Sequence, residues 1–241
     1  MDGFDLALEI VVATDAFRSS ARIQKFCKAI HKATNFQVRI LSGDEEAYYI
    51  YRGVRLTGVL KDKTRLIVDI GGGSVECILA TGSQIFWKHS FPLGAQRLLS
   101  LFDNTRPMSY ENKQALSLYI HKCLASLWRA MDKYNADKMI GCSGTFTTLY
   151  ALHAAQTHKN KKGKMIYKLP REEAHSLASE LIDMSLQARL DLPGMVKSRA
   201  PMIGVSAFLV SEILNKYPFM RVRVSSYALK EGLLSTYMDK L

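Results

Sequence analysis

Apolar and polar positions along the chain switch between two periods, and the switch points mark its elements. Leu8 to Thr14 is an almost continuous apolar run and predicts a buried strand. From about Ser20 to Ala33, Ile23, Phe26, Cys27 and Ile30 recur at helical spacing. Phe36 to Leu41 alternates and predicts a second strand. Ser42-Gly43-Asp44 then reads as the start of a helix that runs through Tyr51 to near Gly53. Glu45 and Glu46 fall in its first turn, where carboxylates complement the helix dipole. Strand, helix, strand, helix is α/β order with a parallel pairing. The polar, Lys-rich stretch Gly58 to Thr64 marks a boundary, which divides the chain into residues 1–60 and 61–241.

Beyond it, Leu66 to Ile70 and Val75 to Ala80 are short apolar runs on either side of Gly71-Gly72-Gly73-Ser74, a pattern that predicts a hairpin buried on both faces. Gln84 to Pro92 adds a third strand to make a meander. Ala95 to Phe102 predicts a short helix, Asn104 to Pro107 breaks it, and Ser109 begins one long helix reaching Tyr134. Lys138 to Cys142 predicts a strand that leads through Ser143-Gly144-Thr145 directly into a helix ending near His158. A basic loop follows from His158 to Lys164. Helices are then expected from Pro170 to about Ala188 and from Pro201 to Lys216, a strand from Arg221 to Ser225, and a terminal helix from Leu229 to Leu241.

Two positions break the apolar pattern where chemistry would need them. Asp69 interrupts the first hairpin strand and Glu76 stands near the start of the second. The glycines between them let the backbone adopt unusual angles and approach a ligand closely. Successive N–H groups in such a turn form a concavity that suits a phosphate. The two carboxylates suit Mg²⁺, which binds through one or two acids and otherwise keeps water and phosphate oxygens. The Ser143-Gly144-Thr145 junction offers a second anion site, because a helix N-terminus presents N–H groups and a positive dipole end. An ordinary Gly-rich hairpin tip would carry the same glycines, so context elsewhere must decide.

Composition narrows the class. No apolar run approaches the ~18 residues of a membrane span, and nothing after Met1 resembles a secretory leader. Cys27, Cys77, Cys123 and Cys142 form no CxxC pair. They are expected to be buried free thiols in a reducing, cytoplasmic setting rather than zinc ligands. The net charge is +11, with eight Lys/Arg against seven Asp/Glu in residues 1–60 and 25 against 15 in residues 61–241. That field implies a polyanionic partner, and the basic loop could hook a long one.

Six stretches together carry a resemblance. They are Val12 to Arg18, Leu41 to Ala47, Val68 to Glu76, Ser90 to Leu98, Gly141 to Thr145, and Val224-Ser225 through Lys230-Glu231-Gly232. In this order the chain closely resembles the exopolyphosphatase and guanosine-pentaphosphate phosphohydrolase (Ppx/GppA) family. The fold this implies is α/β and ribonuclease-H-like, in the actin/sugar-kinase/Hsp70 superfamily, with two lobes. The family's opening Asp-x-Gly-Ser-Asn-Ser loop has no match in residues 1–10, so the first lobe is expected to be incomplete at its N-terminus. Residues 1–60 would be its remnant and 61–241 the second actin-like domain, with the terminal helix packing back on the first.

The resemblance also implies roles. Glu46 matches the general base that activates the attacking water. Asp69 and Glu76 match acids around a Mg²⁺ and phosphate site. Gly71, Gly72, Gly73 and Ser74 match one phosphate loop, Ser143, Gly144 and Thr145 another, and Arg18 a phosphate-contacting arginine. The implied reaction is release of terminal orthophosphate from inorganic polyphosphate, or from guanosine pentaphosphate (pppGpp). A third possibility is a non-catalytic fragment that binds polyanions. No membrane and no specific nucleic-acid site are expected, and a homodimer is possible because family members commonly pair. Two departures concern phosphate contact: Arg22 stands where the family has Asn, and Lys230 replaces an Arg, losing a planar two-pronged donor.

Overall fold

The computed structural model describes residues 10–15, 22–158, 163–217 and 221–239. Val11–Ala13 (β1) pairs in parallel with Val38–Ile40 (β2), joined through helix α1, Ile23–Thr34. Helix α2, Gly43–Leu56, follows at once. Its start is set by a capping box: Ser42 Oγ accepts from Glu45 N, and the Glu45 carboxylate accepts from Ser42 N at 2.8 Å.

The main sheet has six strands in the order β5-β4-β3-β6-β8-β7. Arg65–Ile70 (β3), Val75–Ala80 (β4) and Ile85–Phe91 (β5) form the antiparallel meander. Lys138–Cys142 (β6) and Arg221–Ser225 (β8) extend it in parallel from β3. An antiparallel meander continued by parallel strands from its first member is the ribonuclease-H-like arrangement, and the fold is of that α/β class. Between these strands lie α3 (Ala95–Leu101), α4 (Tyr110–Cys123), α5 (Ala125–Tyr134) and α6 (Ser143–Gln156). Then come β7 (Ile166–Leu169), α7 (Arg171–Asp183), α8 (Leu186–Leu190), α9 (Ile203–Lys216) and α10 (Leu229–Met238).

Alternation along the strands sorts residues into two cores. Leu66, Val68 and Ile70 of β3, with Val75, Cys77 and Leu79 of β4, enter a large core with α4 to α7 and α9. Ile67, Ile78, Ala80, Ile140 and Cys142 face the other way, onto Ala47, Ile50, Tyr51 and Val54 of α2. Helix α10 lies against α2 from outside. A Cβ on Gly232 would stand 1.8 Å from Tyr49 O, and one on Gly53 1.9 Å from Ala228 O, so two glycines permit the contact. Arg52 ties the pair further through an ion pair with Asp239.

Several elements differ from the pattern reading. The expected single helix from Ser109 to Tyr134 is two, broken at Leu124. The Trp128 indole N–H takes the His121 carbonyl at 3.2 Å, the acceptor that Ala125 N–H would use in an unbroken helix. The helix expected to reach Ala188 stops at Asp183. Met108 N and Asn104 Nδ2 claim the Ile182 carbonyl, and Ser185 caps the short α8 instead. Strand β7, not foreseen, adds antiparallel to β8 at the sheet edge. The start of the first predicted strand and residues 159–162 of the basic loop lie outside the described residues. Cys77 and Cys142 are buried, as expected, whereas Cys27 and Cys123 are only half-buried; all four are free. Among the described residues, no helix is long and apolar enough to cross a membrane.

Candidate functional site

Asp69 and Glu76 are directly opposed across the β3–β4 pair. Asp69 shares the parity of Ile67, and Glu76 that of Ile78, so both side chains project on the α2 face of the sheet. Glu46 occupies the first turn of α2 and is itself only 7% exposed. Lys88 of β5 reaches Asp44 in the same turn and fixes that end of the helix over the hairpin. Three acids thus converge where the chain turns from β3 into β4.

Their surroundings are dry but supplied with hydroxyls. Ser143 Oγ donates to Asp69 Oδ2 at 2.7 Å. Ser74 and Ser90 both donate to Glu76 Oε1, each at 2.7 Å. Burial nevertheless dominates. It pushes Asp69 up to about 6, with the Glu46 charge adding to the rise and Ser143 and Arg199 opposing it. It pushes Glu76 up to about 8, helped by the charges of Glu46 and Asp69 and opposed by the serines. Three crowded carboxylates in a desolvated place call for a cation or for protons.

The glycine turn is held from behind by α3. Ala95 N donates to Gly71 O, Gln96 N to Gly72 O, and Gly94 N to Gly73 O, at 2.8, 2.8 and 3.1 Å. The free N–H groups of a helix start therefore find their partners in the loop's carbonyls. A trans peptide points its C=O and N–H in opposite directions. With those carbonyls aimed at α3, the N–H groups of Gly72, Gly73 and Ser74 point away from it. The loop is packed so tightly here that a Cβ on Gly94 would lie 2.4 Å from Gly72 and Gly73 backbone atoms.

Across from the hairpin, β6 runs beside β3 with Cys142 level with Asp69. The next residue, Ser143, turns the chain into α6 at φ +63°, a left-handed conformation rare outside glycine. That strained turn aims its hydroxyl at Asp69. No side chain among the described residues caps α6. Gly144 lies on its first turn, and Thr145 is buried, so its contribution to a ligand would come from the backbone.

The family model for the Ppx/GppA phosphatases matches residues 1–241. The chain belongs to the Ppx/GppA phosphatase family. Among solved structures, an exopolyphosphatase from Cytophaga hutchinsonii matches this Ppx/GppA chain with TM-score 0.90 at 34% identity, over 96% of this chain and 75% of the other. The Aquifex aeolicus Ppx/GppA family member matches with TM-score 0.81 at 22% identity, over 96% and 74%, a likeness of fold.

In this Ppx/GppA phosphatase family member the structure also brings in two residues to which the sequence analysis gives no role. Arg199, at the end of the short 3₁₀ turn Lys197–Arg199, lays its guanidinium over Gly144, where a Cβ would meet Cζ at 2.2 Å. It is close enough to Asp69 to lower its pKa. Its stretch between Pro193 and Pro201 has no periodicity or motif, and only the bare Gly144 hinted that something lies against it. Asp15, at the end of the β1 segment, places its carboxylate against Gly73, with Arg97 3.8 Å from the same oxygen. Arg18 lies outside the described residues. Lys230 is largely exposed and turned to Glu231 at 3.4 Å.

Proposed function

We propose that this chain hydrolyses the terminal phosphoanhydride of inorganic polyphosphate, releasing orthophosphate. The observation that supports the reading is the meeting of Glu46, Asp69 and Glu76 beside two anion-facing backbone turns, in a chain of this family. Phosphoryl transfer asks a protein mainly for positioning and for neutralisation of charge. The N–H groups of Gly72, Gly73 and Ser74 would hold the terminal phosphate from one side, and the start of α6 with Arg199 from the other. Glu46, the acid carried on a helix rather than in the sheet, would orient the attacking water and accept its proton.

Asp69 and Glu76 fit Mg²⁺ as ligands. Both offer carboxylate oxygens, and both are burdened by neighbouring negative charge that a cation would relieve. Among the described residues, no group of three or more His, Cys, Asp or Glu could hold a metal by itself. Mg²⁺ binds through one or two acids and otherwise keeps water and phosphate oxygens. When bound, it would offset the developing charge on the phosphate.

The test is orthophosphate release from long-chain polyphosphate with Mg²⁺. Glu46→Gln is expected to lose activity by about 10²–10⁴-fold while still binding polyphosphate; undiminished turnover would remove Glu46 from the reaction. Guanosine pentaphosphate offers the same terminal group to the same residues, and a parallel assay with it ranks the two substrates.

A further inference from the structure

A cleft of about 410 Å³ opens between the far half of α6 and strand β7. Its size is that of a small-ligand site. Tyr150 and Tyr167 stand together in it, ring centroids 4.3 Å apart and planes inclined by 34°. Ile166 and Pro170 continue the apolar surface. Lys164 and Lys168 line it as well, both exposed. Neither lysine has a carboxylate partner among the described residues. His153 completes the lining, with its Nδ1 buried, lacking a hydrogen-bond partner, and 3.6 Å from Glu173 Oε2. The two ammonium groups are left to a ligand.

We propose that this cleft binds a nucleoside phosphate, base on the tyrosines and phosphate on the lysines. A bare phosphate chain would use the lysines and leave the aromatic and apolar surface unmatched. An uncharged apolar ligand would do the reverse. Only a planar aromatic ligand carrying anionic charge uses both. The cleft is distinct from the acid cluster: Tyr150 and His153 follow Ser143 by seven and ten residues on α6, which is about 10 and 15 Å along a helix. Two mixed-chemistry surfaces thus share one helix, one at its start and one toward its end.

Titration calorimetry with GMP and AMP tests this, since neither has a phosphoanhydride to hydrolyse. One equivalent of nucleotide is expected to bind. Lys168→Gln, at an exposed position, and Tyr167→Leu should each weaken binding tenfold or more, whereas Glu46→Gln should leave it unchanged. Circular dichroism confirms that each variant is folded. Absence of nucleotide binding at millimolar concentration would overturn the proposal. So would binding insensitive to both cleft variants. Tripolyphosphate binding the cleft as tightly as GMP, with no dependence on Tyr167, would reduce it to an anion patch and likewise overturn it. Because Lys168 and Tyr167 line the cleft and not the acid cluster, failure here leaves the polyphosphate reaction untouched, and the converse also holds.

Discussion

Asp69 and Glu76 carry opposite demands: a ligand role needs them charged, and their burial favours the proton. Ordinary carboxyl groups titrate near ~4, whereas these are raised to about 6 and about 8. The folded chain therefore binds protons that the unfolded chain has released, and stability falls as pH rises through that window. With a chelator present, the melting temperature is expected to decline from pH 5 to pH 8. Added Mg²⁺ should flatten the decline by matching the charges, and so should Glu76→Gln, which keeps an acceptor for Ser74 and Ser90. Scanning calorimetry across pH, with and without the ion, checks both; a Mg²⁺-insensitive profile would detach these acids from any metal role.

Helices here serve as brackets for short turns. Helix α3 grips the glycine loop through Gly94 and the first N–H groups. Gly94→Ala has nowhere to put its methyl group except into that loop, with the nearest atoms at 2.4 Å. Its expected effect is a large loss of phosphate release, at least tenfold, with a stability change of only about 1–3 kcal/mol, read by paired activity and urea unfolding. Helix α10 acts on α2 in a parallel way. Gly232→Ala would press on Tyr49 O at 1.8 Å and lift α10 from the helix that carries Glu46. A loss of about 1–3 kcal/mol or more is expected, again by urea unfolding, together with lower activity, because α10 braces the helix that holds the proposed base.

Across the whole molecule, the sheet gathers the candidate site at one end. Asp69 is next to last in β3, Ser143 follows β6, and Glu76 is second in the antiparallel β4, so all three lie at the carboxyl-terminal edge of the parallel strands, the usual location of sites in open α/β sheets. Over this arrangement spreads a net charge of +11. Long-range attraction of a polyanion is screened by salt over a Debye length of about 10 Å at 0.1 M. The apparent affinity for long polyphosphate is therefore expected to fall between 50 and 300 mM KCl by about tenfold or more, and less steeply for tripolyphosphate. Initial rates over chain length and salt would reveal it.

Much was legible in one dimension. The hairpin strands, the Gly-rich turn, the capped helix start at Ser42 and the Ser-Gly-Thr junction are local patterns, fixed by periodicity, by backbone freedom and by side chains that bond a few residues away. The opposition of Asp69 and Glu76 also follows locally, because a four-residue turn sets the register. The breaks at Leu124 and Asp183 were not legible, since Trp128 and Asn104 take carbonyls that a regular helix would keep. Edge strand β7 gave only four residues of signal. Arg199 reaches Asp69 from a distant segment with no motif of its own, and nothing in the stretch Val12 to Arg18 says that Asp15 comes to rest against Gly73. Local bonding energies are written in neighbouring residues. The approach of α2 to the sheet, and of Arg199 to Gly144, depends instead on which apolar faces must be buried together, and only the packed chain decides that.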